Sequence, residues 1–122
     1  MAAILVTDDD PDTRVVVAEV LKRNGYDVLA AEGGAEALHI IQNRHQPLSL
    51  LLKDLIMPGL NGGDLVQRAV ALRPTLKVIV MSGHHRENVE RYLTIGKTRL
   101  AFLEKPFSIP SLIDQVRGVL DS

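Results

Sequence analysis

Five short apolar runs, at 3–7, 27–31, 48–53, 77–81 and 101–104, each lead into a segment with helical spacing. The first, third and fourth are apolar at nearly every position rather than at every second one, as in Leu50-Leu51-Leu52 and Val78-Ile79-Val80-Met81. A strand with one wet face alternates, so unbroken apolar runs of this length predict parallel strands covered on both sides. Strand followed by helix, five times over, predicts a three-layer α/β sandwich with right-handed crossovers. At 122 residues the chain has only about half the length of a (β/α)8 barrel. No linker, repeat or charge block divides it, and one domain over 1–122 is expected.

The helical segments carry their own ends. Pro11 suits a first turn, where its missing N–H costs nothing, and Asp10 or Asp12 offers capping oxygens. Val16, Val17, Val20 and Leu21 follow at three- and four-residue spacing, and Asn24-Gly25 supplies a stop. Further helices are expected at about 34–44, 63–72, 86–95 and 109–120.

Composition removes whole classes of chemistry. The chain has no cysteine, which excludes disulfides, zinc fingers, iron–sulfur clusters and thiol nucleophiles. Lys+Arg at 14 against Asp+Glu at 15 gives a net charge of −1, without the bulk positive charge of a nucleic-acid binder. Two Phe, two Tyr and no Trp leave no base-stacking platform. No apolar run approaches a membrane span, and the N-terminus lacks a basic leader. A soluble cytoplasmic protein, touching neither membrane nor nucleic acid directly, is expected.

Ligands of open parallel sheets bind beyond the carboxyl ends of the strands. Asp8, Asp9 and Asp10 follow the first run, Glu32 and two glycines the second, Asp54 the third, Ser82 the fourth and Lys105 the fifth. Carboxylates crowded at one place repel unless a cation neutralises them. Hard oxygen ligands without His or Cys favour Mg²⁺, with Mn²⁺ as a substitute. A hydroxyl and an ammonium facing such a site suit a transferring phosphoryl group, whose oxygens the three can share. Asp54, at the end of the middle apolar run, is the best candidate for a carboxylate nucleophile. Lys53, beside it, falls on the opposite sheet face and is expected in a salt bridge or in solvent rather than on the phosphate.

These residues carry a family resemblance. Ile4-Leu5-Val6-Thr7-Asp8-Asp9-Asp10-Pro11 resembles the acidic opening of bacterial two-component response-regulator receiver domains. Asp54-Leu55-Ile56-Met57-Pro58-Gly59 resembles their phosphoacceptor segment, while Val80-Met81-Ser82-Gly83 and Phe102-Leu103-Glu104-Lys105-Pro106-Phe107 resemble their Thr/Ser and Lys-Pro motifs. The segment from Ala31 to Leu38 is similar to the family's entry into its second helix. The resemblance implies a flavodoxin-like fold, with a five-stranded parallel sheet of order 2-1-3-4-5 and five helices. It implies that Asp54 accepts phosphoryl from a histidine kinase or histidine phosphotransfer protein. Asp9, Asp54 and the Ile56 carbonyl would then ligate Mg²⁺, with Asp8 acting through a metal-bound water. Ser82 and Lys105 would hold the phosphoryl group, Phe102 would turn inward with Ser82, and Lys105–Pro106 would be cis. The activity implied is that of a switch protein, not an enzyme, which assists only its own aspartyl phosphorylation and dephosphorylation. Its output would be a partner-binding surface on the fourth helix, fifth strand and fifth helix, met by an unidentified downstream protein or a weak dimer of an otherwise monomeric chain.

Some features depart from the family pattern. The stretch from Gly96 to Phe102 is two residues longer than usual and carries Lys97 in place of a small residue. The loop entering the last strand, through Lys97 and Ala101, is therefore expected to be long and basic, resembling receivers of hybrid histidine kinases and their stand-alone relatives. Ile56 and His84 border the phosphate's exit to water and are expected to tune acyl-phosphate lifetime. His84-His85 lacks the spacing of a helical zinc motif. Two other readings compete. A small aspartyl phosphatase would need an Asp-x-Asp-x-Thr motif, which neither register of Asp8-Asp9-Asp10-Pro11-Asp12-Thr13 completes. A receiver-fold module that binds partners without phosphorylation would lack the acidic pair, or Asp54, or Lys105, and none is missing.

Overall fold

A computed structural model of the chain describes residues 3–43, 48–54, 62–82, 94–95 and 98–121. Its strands are β1 (Ala3–Thr7), β2 (Asp27–Ala31), β3 (Leu50–Asp54), β4 (Lys77–Ser82), β5 (Thr94–Ile95) and β6 (Thr98–Glu104). The helices among these residues are α1 (Pro11–Arg23), α2 (Gly34–Asn43), α3 (Gly62–Leu72) and α4 (Ile109–Asp121). Five strands run parallel in the order β2-β1-β3-β4-β6, with the two-residue β5 antiparallel on the outside of β6. The expected order 2-1-3-4-5 therefore holds for the parallel strands.

Alternation along each strand builds two cores. Leu5, Leu51, Val78 and Val80 point to one face, where α2 and α3 cover them with Ala37, Ile41, Leu65, Val66 and Ala69. Ile4, Val6, Leu50, Leu52, Ile79 and Met81 point to the other, under Val17 and Leu21 of α1 and Leu112 and Val116 of α4. Leu50, Leu51 and Leu52 are all fully buried, each worth about 1.5–3 kcal/mol of transfer free energy. Burial on both faces is the reason these runs do not alternate.

Asn24-Gly25 ends α1 as expected. Gly25 takes a left-handed φ of 91°, and the Gly25 and Tyr26 amides donate to the Lys22 and Leu21 carbonyls at 3.1 and 3.2 Å. That is a Schellman motif, which needs a residue without a Cβ penalty at this point.

The end of the fourth expected helix is corrected. Residues 86–93 lie outside the described residues, but Thr94 and Ile95 are strand, pairing with Arg99 and Thr98. The long basic loop is corrected with it, because Thr98 to Ala101 already belong to β6. The β-branched Thr94, Ile95 and Thr98 suit a pleated edge better than a helix end. The two extra residues thus go into a strand that begins early. No helix among the described residues is long and apolar enough to cross a membrane.

Candidate functional site

β1 and β3 are neighbours in the middle of the sheet, with Thr7 in register with Lys53. The chain order reverses across them, since β2 lies beyond β1 and β4 beyond β3, and a crevice opens at such a switch point. Asp8 follows Thr7 and Asp54 follows Lys53, so two strands deliver two carboxylates to one edge. Oxygens of Asp8, Asp9 and Asp54 all lie within 4.8 Å of one another. Three hard oxygen donors with no His or Cys among them fit a divalent cation such as Mg²⁺.

Asp8 is 0 % exposed, and its polar atoms are occupied. Its Oδ1 accepts from the Asp10 amide at 2.9 Å, its Oδ2 from Lys105 Nζ at 2.8 Å, and its carbonyl from Arg14 Nη1 at 2.8 Å. Lys105 Nζ also stands 3.4 Å from Asp54 Oδ1, with the side chains of Lys105 and Asp54 25 % and 16 % exposed. One ammonium thus bridges two carboxylates that would otherwise repel. Burial would lower the Lys105 amine, but the hydrogen bond to Asp8 and the charges of Asp54 and Asp8 outweigh it and raise the amine above the ordinary lysine value. Burial raises the Asp54 carboxyl above the usual range, helped by the negative charges of Asp8 and Asp9 and opposed by Lys105. Asp54 is therefore a carboxylate held short of full comfort, which a metal or an acyl bond would relieve.

The first turn of α1 frames this edge. Asp10 is its N-cap, accepting from the Asp12 amide at 3.1 Å and the Thr13 hydroxyl at 2.7 Å. Those bonds, the Thr13 hydroxyl first, hold the Asp10 carboxyl below its usual range. Asp10 and Asp12 are helix-cap and first-turn residues and stand apart from the acidic cluster. Glu32, also expected at this edge, is 80 % exposed and lies 3.9 Å from Arg14 rather than with Asp8, Asp9 and Asp54. Beside Lys105 opens a groove of about 480 Å³ lined by Asp12, Thr13, Val16, Val17, Pro106 and Phe107.

The structure corrects Lys53. It does point to the face opposite Asp54, but it is 0 % exposed and donates to the Asp54 backbone carbonyl. Burial depresses its amine to about 8, against the pull of Asp54 and Asp8. Arg14 is a residue that spacing alone did not single out; nothing in its position within a first turn announces a bond back to β1. The Lys105–Pro106 bond is cis. Ser82 ends β4 opposite Glu104, and Phe102 pairs with Val80, so their backbones stand where expected. Their side chains, with the whole of Ile56 and His84, lie outside the described residues.

Comparison with known proteins points the same way. The family model for the response regulator receiver domain matches residues 4–117. The response regulator receiver protein CpdR of Brucella abortus is 31% identical over 120 residues, covering 98% of each chain. The sensor kinase CckA of the same organism is 29% identical over 98% of this chain, which spans only 13% of that kinase's length. The crystal structure of the receiver domain from hybrid histidine kinase CckA superposes with a TM-score of 0.81 at 33% identity, covering 98% of this chain and 99% of that one. A CheY-like receiver from Methanospirillum hungatei gives 0.88 at 26% identity over 99% and 94%. With the strand order, the acidic cluster and the bridging lysine all in agreement with a match over nearly its whole length, the chain belongs to the response regulator receiver domain family.

Proposed function

We propose that this chain is a phosphorelay receiver in which Asp54 takes a phosphoryl group from a phosphohistidine of a histidine kinase or phosphotransfer protein. The observation that carries this reading is the Asp8–Asp9–Asp54 cluster bridged by Lys105, an arrangement with a nucleophile, a cation seat and a phosphate partner within one hydrogen-bonded group. An Asp54 oxygen attacks phosphorus in line as the P–N bond to the donor imidazole breaks, giving an acyl phosphate and returning the imidazole with a proton. Asp9 and Asp54, with the Ile56 carbonyl, are the residues assigned to hold Mg²⁺, which neutralises phosphoryl charge when bound. Asp8, with both oxygens already accepting, suits the role of orienting a metal-bound water. Lys105 exchanges its hold on the carboxylates for the phosphoryl oxygens, and Ser82 donates to another.

The added charge of about −1.5 to −2 draws on Lys105 at the end of β6 and on Ser82 at the end of β4. Those two strands, with α4, are the elements that would carry the change to a partner surface. The groove beside Lys105 leaves a path for the donor side chain. The whole unit is read as one receiver domain over 1–122.

Intact mass after incubation with acetyl phosphate tests this. A single phosphoryl increment that requires Mg²⁺, is absent from Asp54→Ala and is lost to hydroxylamine is the expected result. No increment from acetyl phosphate or from a phosphohistidine donor overturns it and leaves a module that binds its partner without phosphate.

A further inference from the structure

The acceptor aspartate is held from both faces of the sheet. On the α1/α4 face, Lys105 reaches its carboxylate. On the α2/α3 face, Lys53 donates to its main-chain carbonyl. Lysine is almost never fully buried without a partner that needs it, and Lys53 sits in register between Thr7 of β1, also 0 % exposed, and Val80 of β4. Its side chain is fully buried there, and its ammonium turns back to the carboxyl end of β3. Asp54 is the last residue of that strand, in register with Met81 of β4.

We propose that Lys53 is a positioning residue for Asp54: its buried ammonium fixes the main-chain carbonyl at the last residue of β3. The acceptor carboxylate then leaves from a fixed origin. This rests on the phosphoacceptor reading of Asp54. A hydrogen bond from a charged donor is stronger than one from a neutral donor, and a buried carbonyl left without any donor is costly.

Replacing Lys53 by Met keeps the length and apolar packing and removes donor and charge together. Charge removal alone makes the site more negative and tightens Mg²⁺ binding. Loss of position weakens it, so the sign of the change separates the two. The expected result for Lys53→Met, measured by amide NMR titration with Mg²⁺, is an affinity about fivefold weaker despite the lost positive charge, with phosphorylation by acetyl phosphate slowed to a similar extent. Unchanged or tighter Mg²⁺ binding in a folded Lys53→Met overturns the proposal. In the wild-type protein, the Lys53 Cε and Nζ resonances are expected to shift on Mg²⁺ saturation; silence there overturns it as well, even if Lys53→Met fails to fold. Wild-type protein that binds no Mg²⁺ and takes no phosphoryl would remove the phosphoacceptor reading itself, a result distinct from a Lys53→Met that keeps both.

Discussion

Two lysines approach Asp54 from opposite faces of one sheet, and they are unlike in every physical respect. Lys105 is partly open, bonded to carboxylates, and its amine is raised above the ordinary value by them. Lys53 is fully buried, bonded to a carbonyl, and its amine is depressed to about 8 by burial. The first ammonium can let go of its partners and take others. The second has nowhere to go. In the proposed receiver, the first would move to the phosphoryl group while the second holds the Asp54 carbonyl still.

The largest expected contrast is kinetic. Lys105→Met removes the donor proposed to meet the transferring group, and the phosphorylation rate is expected to fall on the order of 10²-fold, against the roughly fivefold loss for Lys53→Met. The same Lys105→Met is expected to tighten Mg²⁺ binding several-fold, because the ammonium 2.8 Å from Asp8 competes with the divalent ion. Opposite signs for Mg²⁺ in the two variants would sharpen the comparison. Equal losses of rate would break it.

Stability against pH is expected to separate the same two lysines. Lys53 has a folded-state value near 8 against 10.5 in the unfolded chain. Between these values the unfolded chain binds more protons, so stability rises with pH through that window. The gain is at most on the order of 3 kcal/mol. At neutral pH the desolvation relieved in Lys53→Met is expected to offset the Asp54 carbonyl's lost donor, leaving the variant about as stable as the wild type, with the wild type gaining on it as pH approaches the ordinary lysine value. Lys105, raised instead, contributes stability that is fully present below the ordinary value and lost as pH climbs through the raised one. Urea unfolding at a series of alkaline pH values checks both slopes. A Lys53→Met that loses stability at neutral pH would mean that the buried ammonium serves the fold and not the site.

How much of this could be read from the chain is instructive residue by residue. The three unbroken apolar runs contained the two-core sheet, because only strands covered on both faces dispense with polar positions. The residues following the runs contained the acidic cluster and Lys105, because an open parallel sheet puts every strand's carboxyl end on one edge. Lys53 was misjudged by treating it as a lysine instead of as a position. A run covered on both faces leaves no solvent for a side chain in its fourth or fifth place, so the logic that predicted the strand already required Lys53 to be buried. Glu32 shows the converse. Standing at the carboxyl end of a strand brought it to the right edge but not to the centre, because β2 is the outermost strand on its side. The β5–β6 hairpin was hidden for a different reason. Two short β-branched stretches around Gly96-Lys97 carry too few residues for a period to declare itself.

Arg14 offers a smaller effect on the open face. Its guanidinium is bonded to the carbonyl of the fully buried Asp8 and is only 15 % exposed. Arg14→Ala leaves that carbonyl without its donor, at an expected cost of about 1–3 kcal/mol. Because the carbonyl belongs to the residue that turns the chain from β1 toward Asp9, Mg²⁺ binding is expected to weaken several-fold as well. Glu32→Gln, which touches only the exposed 3.9 Å ion pair, is expected to change stability by less than about 1 kcal/mol. A Glu32→Gln as damaging as Arg14→Ala would place the weight on the ion pair rather than on the carbonyl.

The smallest effect belongs at the other end of the sheet, where a third lysine does for a helix what Lys53 does for a strand. Lys77 opens β4 and donates from Nζ to the carbonyls of Val119 and Leu120 at 2.9 and 3.3 Å. The last turn of α4 has no basic residue of its own, so a cation from a neighbouring strand meets its exposed carbonyls and the negative end of its dipole. Lys77→Met is expected to lower unfolding free energy by about 1 kcal/mol and to leave Mg²⁺ affinity and phosphorylation unchanged. Both Lys77 and Lys53 hold main-chain carbonyls at the end of an element, but Lys77 is half-buried and stands at the opposite end of the sheet from the acidic cluster. If Lys77→Met also weakened Mg²⁺ binding, the effect of Lys53 would have to be read as general loosening of the sheet. If it does not, the consequence of fixing a carbonyl is set by which carbonyl it is.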